Sequence, residues 1–130
     1  VAPGPRVISE ATSAQVRTMM RQVVTRGTAS FANVEGYEVG GKTGTANKPR
    51  PGGGYYDDRV IATFAGAFPM SDPRYVIIVT LDEPVETSGP EPRRTAGWTS
   101  VPVAAEIIRR TAPLLGLRSI IEPPAMDGVT

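Results

Sequence analysis

The chain has 130 residues, 40% hydrophobic and 21% charged, with a net charge of +1. This is enough apolar material for one modest core, and the near-neutral balance gives no electrostatic case for nucleic acid or an anionic membrane surface. Cysteine and histidine are both absent, which excludes a disulfide framework, a Cys or His metal site and a Ser-His-Asp triad within this chain.

Residues 1–8 form a Pro-rich lead-in, "VAPGPRVI", without a signal-peptide pattern. It reads as an excised piece rather than a natural start. Ser9 is a good N-cap, and a helix is expected to run to about Arg26 and end at Gly27. Val16, Met19, Met20, Val23 and Val24 recur at helical spacing and make one apolar stripe. The methionine pair is expected in the core. "TASFANVEG" (28–36) is short and irregular.

Residues 37–46, "YEVGGKTGTA", read as a Gly- and Thr-rich strand that something approaches closely. Residues 47–58, "NKPRPGGGYYDD", read as a flexible connection. A second strand is expected over 59–69, where Val60, Ala62, Phe64 and Gly66 alternate with Ile61, Thr63, Ala65 and Ala67. After the turn "SDP", a third strand over 74–82, "RYVIIVTLD", is too uniformly apolar for a solvated edge. Short connections make the three strands antiparallel neighbours. A long loop with three prolines (83–98) precedes a second helix, which starts near Ser100, takes Pro102 in its first turn and ends or kinks at Pro113. A poorly ordered tail is expected beyond Leu117. The expected fold is α+β: a helix, a three-stranded antiparallel sheet and a C-terminal helix. No run approaches the roughly 18 apolar residues of a membrane span.

Gly36 to Thr43 also satisfies G-x-x-x-x-G-K-[ST], the phosphate-cradling pattern. That chemistry needs a buried strand before the glycine and a helix starting at Lys42, whose N-terminus binds phosphate. "SFANVE" is a poor buried strand, and "GTANKPRPGGG" cannot be helical. The nucleotide reading therefore fails on context, and "LDEP" becomes the acidic end of a strand turning at Pro84. On a strand, Lys42, Gly44 and Ala46 share one face and Thr43 and Thr45 the other. An ammonium and hydroxyls at the rim of such a strand suit a carboxylate, and Gly44 admits a close ligand. Taken alone, Lys-Thr-Gly fits an ordinary solvated strand equally well.

The stretches "VISEATSAQVRTMMRQVV", "GYEVGGKTGTANK", "ATFAGAFPMSDPRYVIIVTLDEP" and "VPVAAEII" resemble, in order, the C-terminal part of the transpeptidase domain of class B penicillin-binding proteins of the cell-division type. The likeness covers about residues 7–123 and makes residues 1–130 the C-terminal segment of such a domain, with 118–130 as its tail. It implies the penicillin-binding-protein and serine β-lactamase fold. It also implies part of a serine D,D-transpeptidase that cross-links peptidoglycan stem peptides ending in D-Ala-D-Ala and is acylated by β-lactams. Carried over by position, Lys42 and Thr45 are the catalytic candidates, and Thr43, Gly44 and Thr45 the substrate-binding ones. Lys42 sets the positive field and hydrogen-bonds the serine of an S-x-N motif. Thr43 and Thr45 take the ligand carboxylate, and the Thr45 N–H joins the oxyanion hole.

The family likeness brings no cofactor and no nucleic acid. It implies the upstream half of the domain and possible cell-division proteins as partners, and a place on the periplasmic side of the inner membrane in the intact protein, whose anchor is not in this chain. The sequence departs from the family in two respects. None of Ser9, Ser13, Ser30, Ser71, Ser88, Ser100 and Ser119 opens S-x-x-K or S-x-N, so the isolated chain is expected to be inactive. The family's Tyr-Gly-Gly stands here as Thr95-Ala96-Gly97, after a longer loop with Arg93 and Arg94. Two other roles compete: a non-catalytic module that binds peptidoglycan peptides or a division protein, and a serine β-lactamase fragment.

Overall fold

A computed structural model describes residues 2–120. Helix α1 (Glu10–Arg26) starts where Ser9 caps it, the hydroxyl accepting the Thr12 N–H at 3.0 Å. Glu10 in the first turn and Arg26 in the last complement the helix dipole. The Gly27 N–H closes the helix on the Val23 carbonyl at 3.1 Å. A 3-10 turn, Ser30–Ala32, follows. Strands β1 (Gly40–Pro49), β2 (Tyr55–Phe68) and β3 (Tyr75–Asp82) form one antiparallel sheet in the order β1-β2-β3. Helix α2 (Ser100–Thr111) comes last, with Pro102 in its first turn, as the sequence predicts.

The register sorts the sheet into two faces. Thr43, Phe64 and Val79 lie in one row across the three strands, and Lys42, Ala65 and Ile78 in the next. Because successive side chains point to opposite faces, Phe64 and Val79 face one way and Lys42 and Ile78 the other. The first face packs on both helices: Val24 of α1, Val39, Phe64 and Val79, and Val101, Ala104 and Ile108 of α2 make one core. Phe64 is wholly buried. Burying such a side chain stabilises by roughly 1.5–3 kcal/mol.

Four local readings are corrected. The segment 47–58 is not a free connection. Asn47 pairs with Val60 and, past an irregularity, Pro49 with Tyr55, leaving a turn at 50–54. The Asn47 Nδ2 donates to the Tyr56 carbonyl at 2.9 Å, and the Arg50 N–H to that of Gly54. Pro49 is tolerated because β1 is an edge strand, where a missing donor is harmless. Gly52, Gly53 and Gly54 supply the positive φ of the turn. Second, β3 is an edge strand. Its odd-numbered residues reach the core, but Val76 and Ile78 are 76% and 67% exposed on a sheet face that nothing covers among the described residues.

Third, only the C-terminal half of the α1 stripe is covered: Val24 is buried and Val23 packs against the core, while Met19 is exposed and Met20 half-buried. Fourth, the chain beyond Leu117 is placed as far as Ile120, whose N–H donates to the Gly36 carbonyl at 2.8 Å. The rest of the expected tail, 121–130, lies outside the described residues.

The long loop 83–98 folds back on itself. Glu86 and Arg93 exchange backbone hydrogen bonds at 2.8 and 3.0 Å. The Arg93 guanidinium lies 3.8 Å from the Trp98 ring centroid, and Phe31 packs on the same ring at 5.3 Å between centroids. These contacts gather at the entrance to α2, the cation held over the ring face.

Candidate functional site

Strand β1 carries Lys42, Thr43, Gly44 and Thr45 on the outer edge of the sheet. A helix starting at Lys42, as phosphate binding requires, is therefore absent. Lys42 stands on the uncovered face and is exposed, its ammonium donating to the Thr43 carbonyl at 3.0 Å. Among the described residues it takes part in no ion pair. Its neighbour in the same face, Lys48, is occupied: its ammonium meets Asp82 and Glu83, each at 2.8 Å. Hydrogen bonds to Asp82 and then Glu83 push its pKa above the ordinary lysine value. The acidic pair at the end of β3 thus serves to tie down the end of β1, and Lys42 is left as a cation open to an anion.

Gly44 lies between the two threonines. A Cβ built there would meet nothing within 4 Å, so the space above the strand is free. Thr43 and Thr45 turn to the helix side. The Thr43 hydroxyl lies 2.9 Å from that of Thr28, just past the end of α1, and the Thr45 hydroxyl accepts the Ala96 N–H at 3.0 Å. Thr28, Phe31, Thr45, Ala96 and Trp98 line a cavity of about 420 Å³. The structure therefore separates Lys42 from the two hydroxyls by the thickness of the strand, with Gly44 as the gap between them.

Sequence reasoning named the four strand residues and, where the family has Tyr-Gly-Gly, Thr95-Ala96-Gly97, but not Thr28, Phe31 or Trp98, and not that these residues border the strand. Their only sequence signal is the Gly-Thr that ends α1 and the Ala-Gly-Trp that opens α2. Spacing along the chain says nothing of their meeting.

The described residues thus form an α+β unit, a helix-backed antiparallel sheet whose edge strand bears Lys-Thr-Gly beside a cleft. The sequence pattern of the penicillin binding protein transpeptidase domain matches residues 2–109, and the chain belongs to that family. It is 39% identical over 123 residues to the probable peptidoglycan D,D-transpeptidase FtsI of Caulobacter vibrioides, covering 88% of this chain and 21% of that protein. It is 41% identical over 113 residues to the stage V sporulation protein D of Bacillus subtilis, covering 87% of this chain and 17% of that one.

Penicillin binding protein 3 of Mycobacterium tuberculosis, solved with ampicillin, superposes with a TM-score of 0.77 at 36% identity, over 95% of this chain and 29% of that chain. The apo transpeptidase domain of Burkholderia pseudomallei penicillin-binding protein 3 gives 0.77 at 42% identity, over 92% and 34%. The chain spans about a fifth of the length of these curated relatives.

Proposed function

We propose that this chain supplies the Lys-Thr-Gly wall of a peptidoglycan D,D-transpeptidase of the cell-division type. The supporting observation is the edge strand itself. It has one cation without an acidic partner, an unobstructed glycine and two oriented hydroxyls. Such a set suits an extended peptide ending in a carboxylate. D-Ala-D-Ala stem peptides have that form, and so do the β-lactams that mimic them.

In this reading the nucleophilic serine, its lysine base and the S-x-N residues come from the upstream half of the domain. The uncovered sheet face with Val76 and Ile78 is where that half would pack. The serine attacks the penultimate D-Ala carbonyl, and the terminal D-Ala leaves. The Thr45 N–H stabilises the oxyanion as charge develops on it. Lys42 supplies positive field, and Thr43 and Thr45 hold the carboxylate. The intact protein would act on the periplasmic side of the inner membrane. The isolated chain lacks a Ser-x-x-Lys and can bind but not be acylated.

The test joins this chain to the upstream part of the Burkholderia pseudomallei transpeptidase domain. Fluorescent penicillin should label the fusion covalently and leave the isolated chain unlabelled. Lys42→Ala in the fusion should cut labelling strongly with the unfolding midpoint kept. Full labelling of that variant, or a stable adduct on the isolated chain, refutes the proposal.

A further inference from the structure

The two threonines of the strand are each held from the helix side, and Thr28 touches both arrangements. Its hydroxyl lies 2.9 Å from the Thr43 hydroxyl. Its carbonyl sits against Gly97, where a Cβ would come within 2.7 Å of the oxygen. Gly97 follows Ala96, whose N–H donates to Thr45 at 3.0 Å. One residue at the end of α1 thus braces the segment that orients Thr45 and directly partners Thr43.

The chemistry of a hydroxyl gives these contacts a direction. Each hydroxyl has one proton to donate and two lone pairs. At Thr45 the Ala96 N–H occupies a lone pair, so the proton is left to point elsewhere, toward the cavity. At Thr43 two proton arrangements compete. If Thr43 donates to Thr28, it offers only lone pairs to the cleft and repels an anion. If Thr28 donates to Thr43, the Thr43 proton is free. An anion selects the second arrangement, and the chain Thr28 to Thr43 to anion is mutually polarised.

We propose that Thr28 is a positioning residue for carboxylate recognition: it turns the Thr43 hydroxyl into a donor facing the ligand and backs the segment that does the same for Thr45. The inference rests on the carboxylate-binding reading of Lys-Thr-Gly and adds a residue outside that motif. Removing its hydroxyl leaves Thr43 free to adopt either orientation, which loses about threefold to tenfold in affinity for a carboxylate ligand, the usual worth of one hydrogen bond. A ligand without the charge does not demand a donor and is unaffected.

The test uses the 130-residue chain and two probes, N-acetyl-D-Ala-D-Ala and its C-terminal amide, titrated while the Thr43 and Thr45 amide signals are followed by NMR. The wild-type chain should prefer the carboxylate form. Thr28→Val should weaken that form about threefold to tenfold and leave the amide form unchanged, and Thr28→Ser should restore the wild-type preference. A Thr28→Val chain with the wild-type preference, in which Lys42→Ala still abolishes binding, overturns the role of Thr28 alone. So does a Thr28→Ser chain that has lost the preference, which keeps the question decidable should the valine variant not fold. A wild-type chain whose Thr43 and Thr45 signals respond to neither probe refutes the carboxylate reading of the strand, and this inference with it.

Discussion

Gly97→Ala puts the close packing of α1 against the α2 entrance to a quantitative test. The added methyl carbon would lie 2.7 Å from the Thr28 carbonyl oxygen, whereas ordinary contact begins at 3.4 Å. One side must yield by 0.7 Å. Thr28 is poorly placed to do so, because the neighbouring N–H groups of Gly27 and Ala29 both donate to Val23 and Ala29 is fully buried. The displacement therefore falls on residues 95–98.

There the Ala96 N–H to Thr45 bond of 3.0 Å would stretch to as much as about 3.7 Å, beyond hydrogen-bonding range. Overpacking of this kind costs roughly 1–3 kcal/mol. At about 4 °C per kcal/mol for a chain of this size, the unfolding midpoint should fall by about 4–12 °C. Circular dichroism melts measure the shift, and the Thr45 amide signal reports the lost bond. An unchanged midpoint with an unmoved Thr45 signal would show that the two segments do not bear on each other as described.

Gly44→Ala is the counterpart. Open space surrounds it and its φ is not positive, so stability should hold or rise by about 0.4–1 kcal/mol, while binding of N-acetyl-D-Ala-D-Ala is lost; a destabilised protein, or unimpaired binding, contradicts this. Phe64→Ala empties the centre of the core and should cost about 3–5 kcal/mol in urea titrations; a loss under 1 kcal/mol would mean that α1 and α2 do not rest on it. Hydrogen bonds from Ser88, and then the Arg93 guanidinium, hold the Glu86 carboxyl below its ordinary 4.5. Its contribution is thus complete above that value and is lost as pH falls through the depressed one. Glu86→Gln should flatten this acid limb of the melting profile, and an unaltered limb would argue against the pairing.

Local signals foretold most of the elements because those elements are built from local interactions. Ser9, the apolar recurrence to Val24 and Gly27 mark α1 by the same contacts that cap it. The alternation from Val60 to Gly66 divides β2 into two faces, and the structure buries the one with Phe64. The G-x-x-x-x-G-K-T match could be set aside because a helix at Lys42 has no sequence that would form it. Where reading failed, the controlling contact was distant. The prolines and glycines of 47–58 announce a turn but not that Asn47 and Val60 pair on either side of it. The uniform apolarity of β3 says that both faces suit burial, and only one is buried here.

The strand residues Lys42, Thr43, Gly44 and Thr45 stood out through family likeness rather than spacing. The contacts of Thr28 with Thr43 and of Ala96 with Thr45 cross 15 and 51 residues of chain. They depend on where α1 stops and α2 begins in space, which no pattern of residue types records.

The chain has a single tryptophan, and it touches both the Arg93 guanidinium and the Phe31 ring at the border of the cavity that holds Thr45. Its indole emission is consequently a native optical gauge of that cavity, free of other tryptophan background. Ligand entry that displaces water or shifts the stacked cation will alter wavelength and intensity. Occupancy can then be followed in real time without attaching a dye.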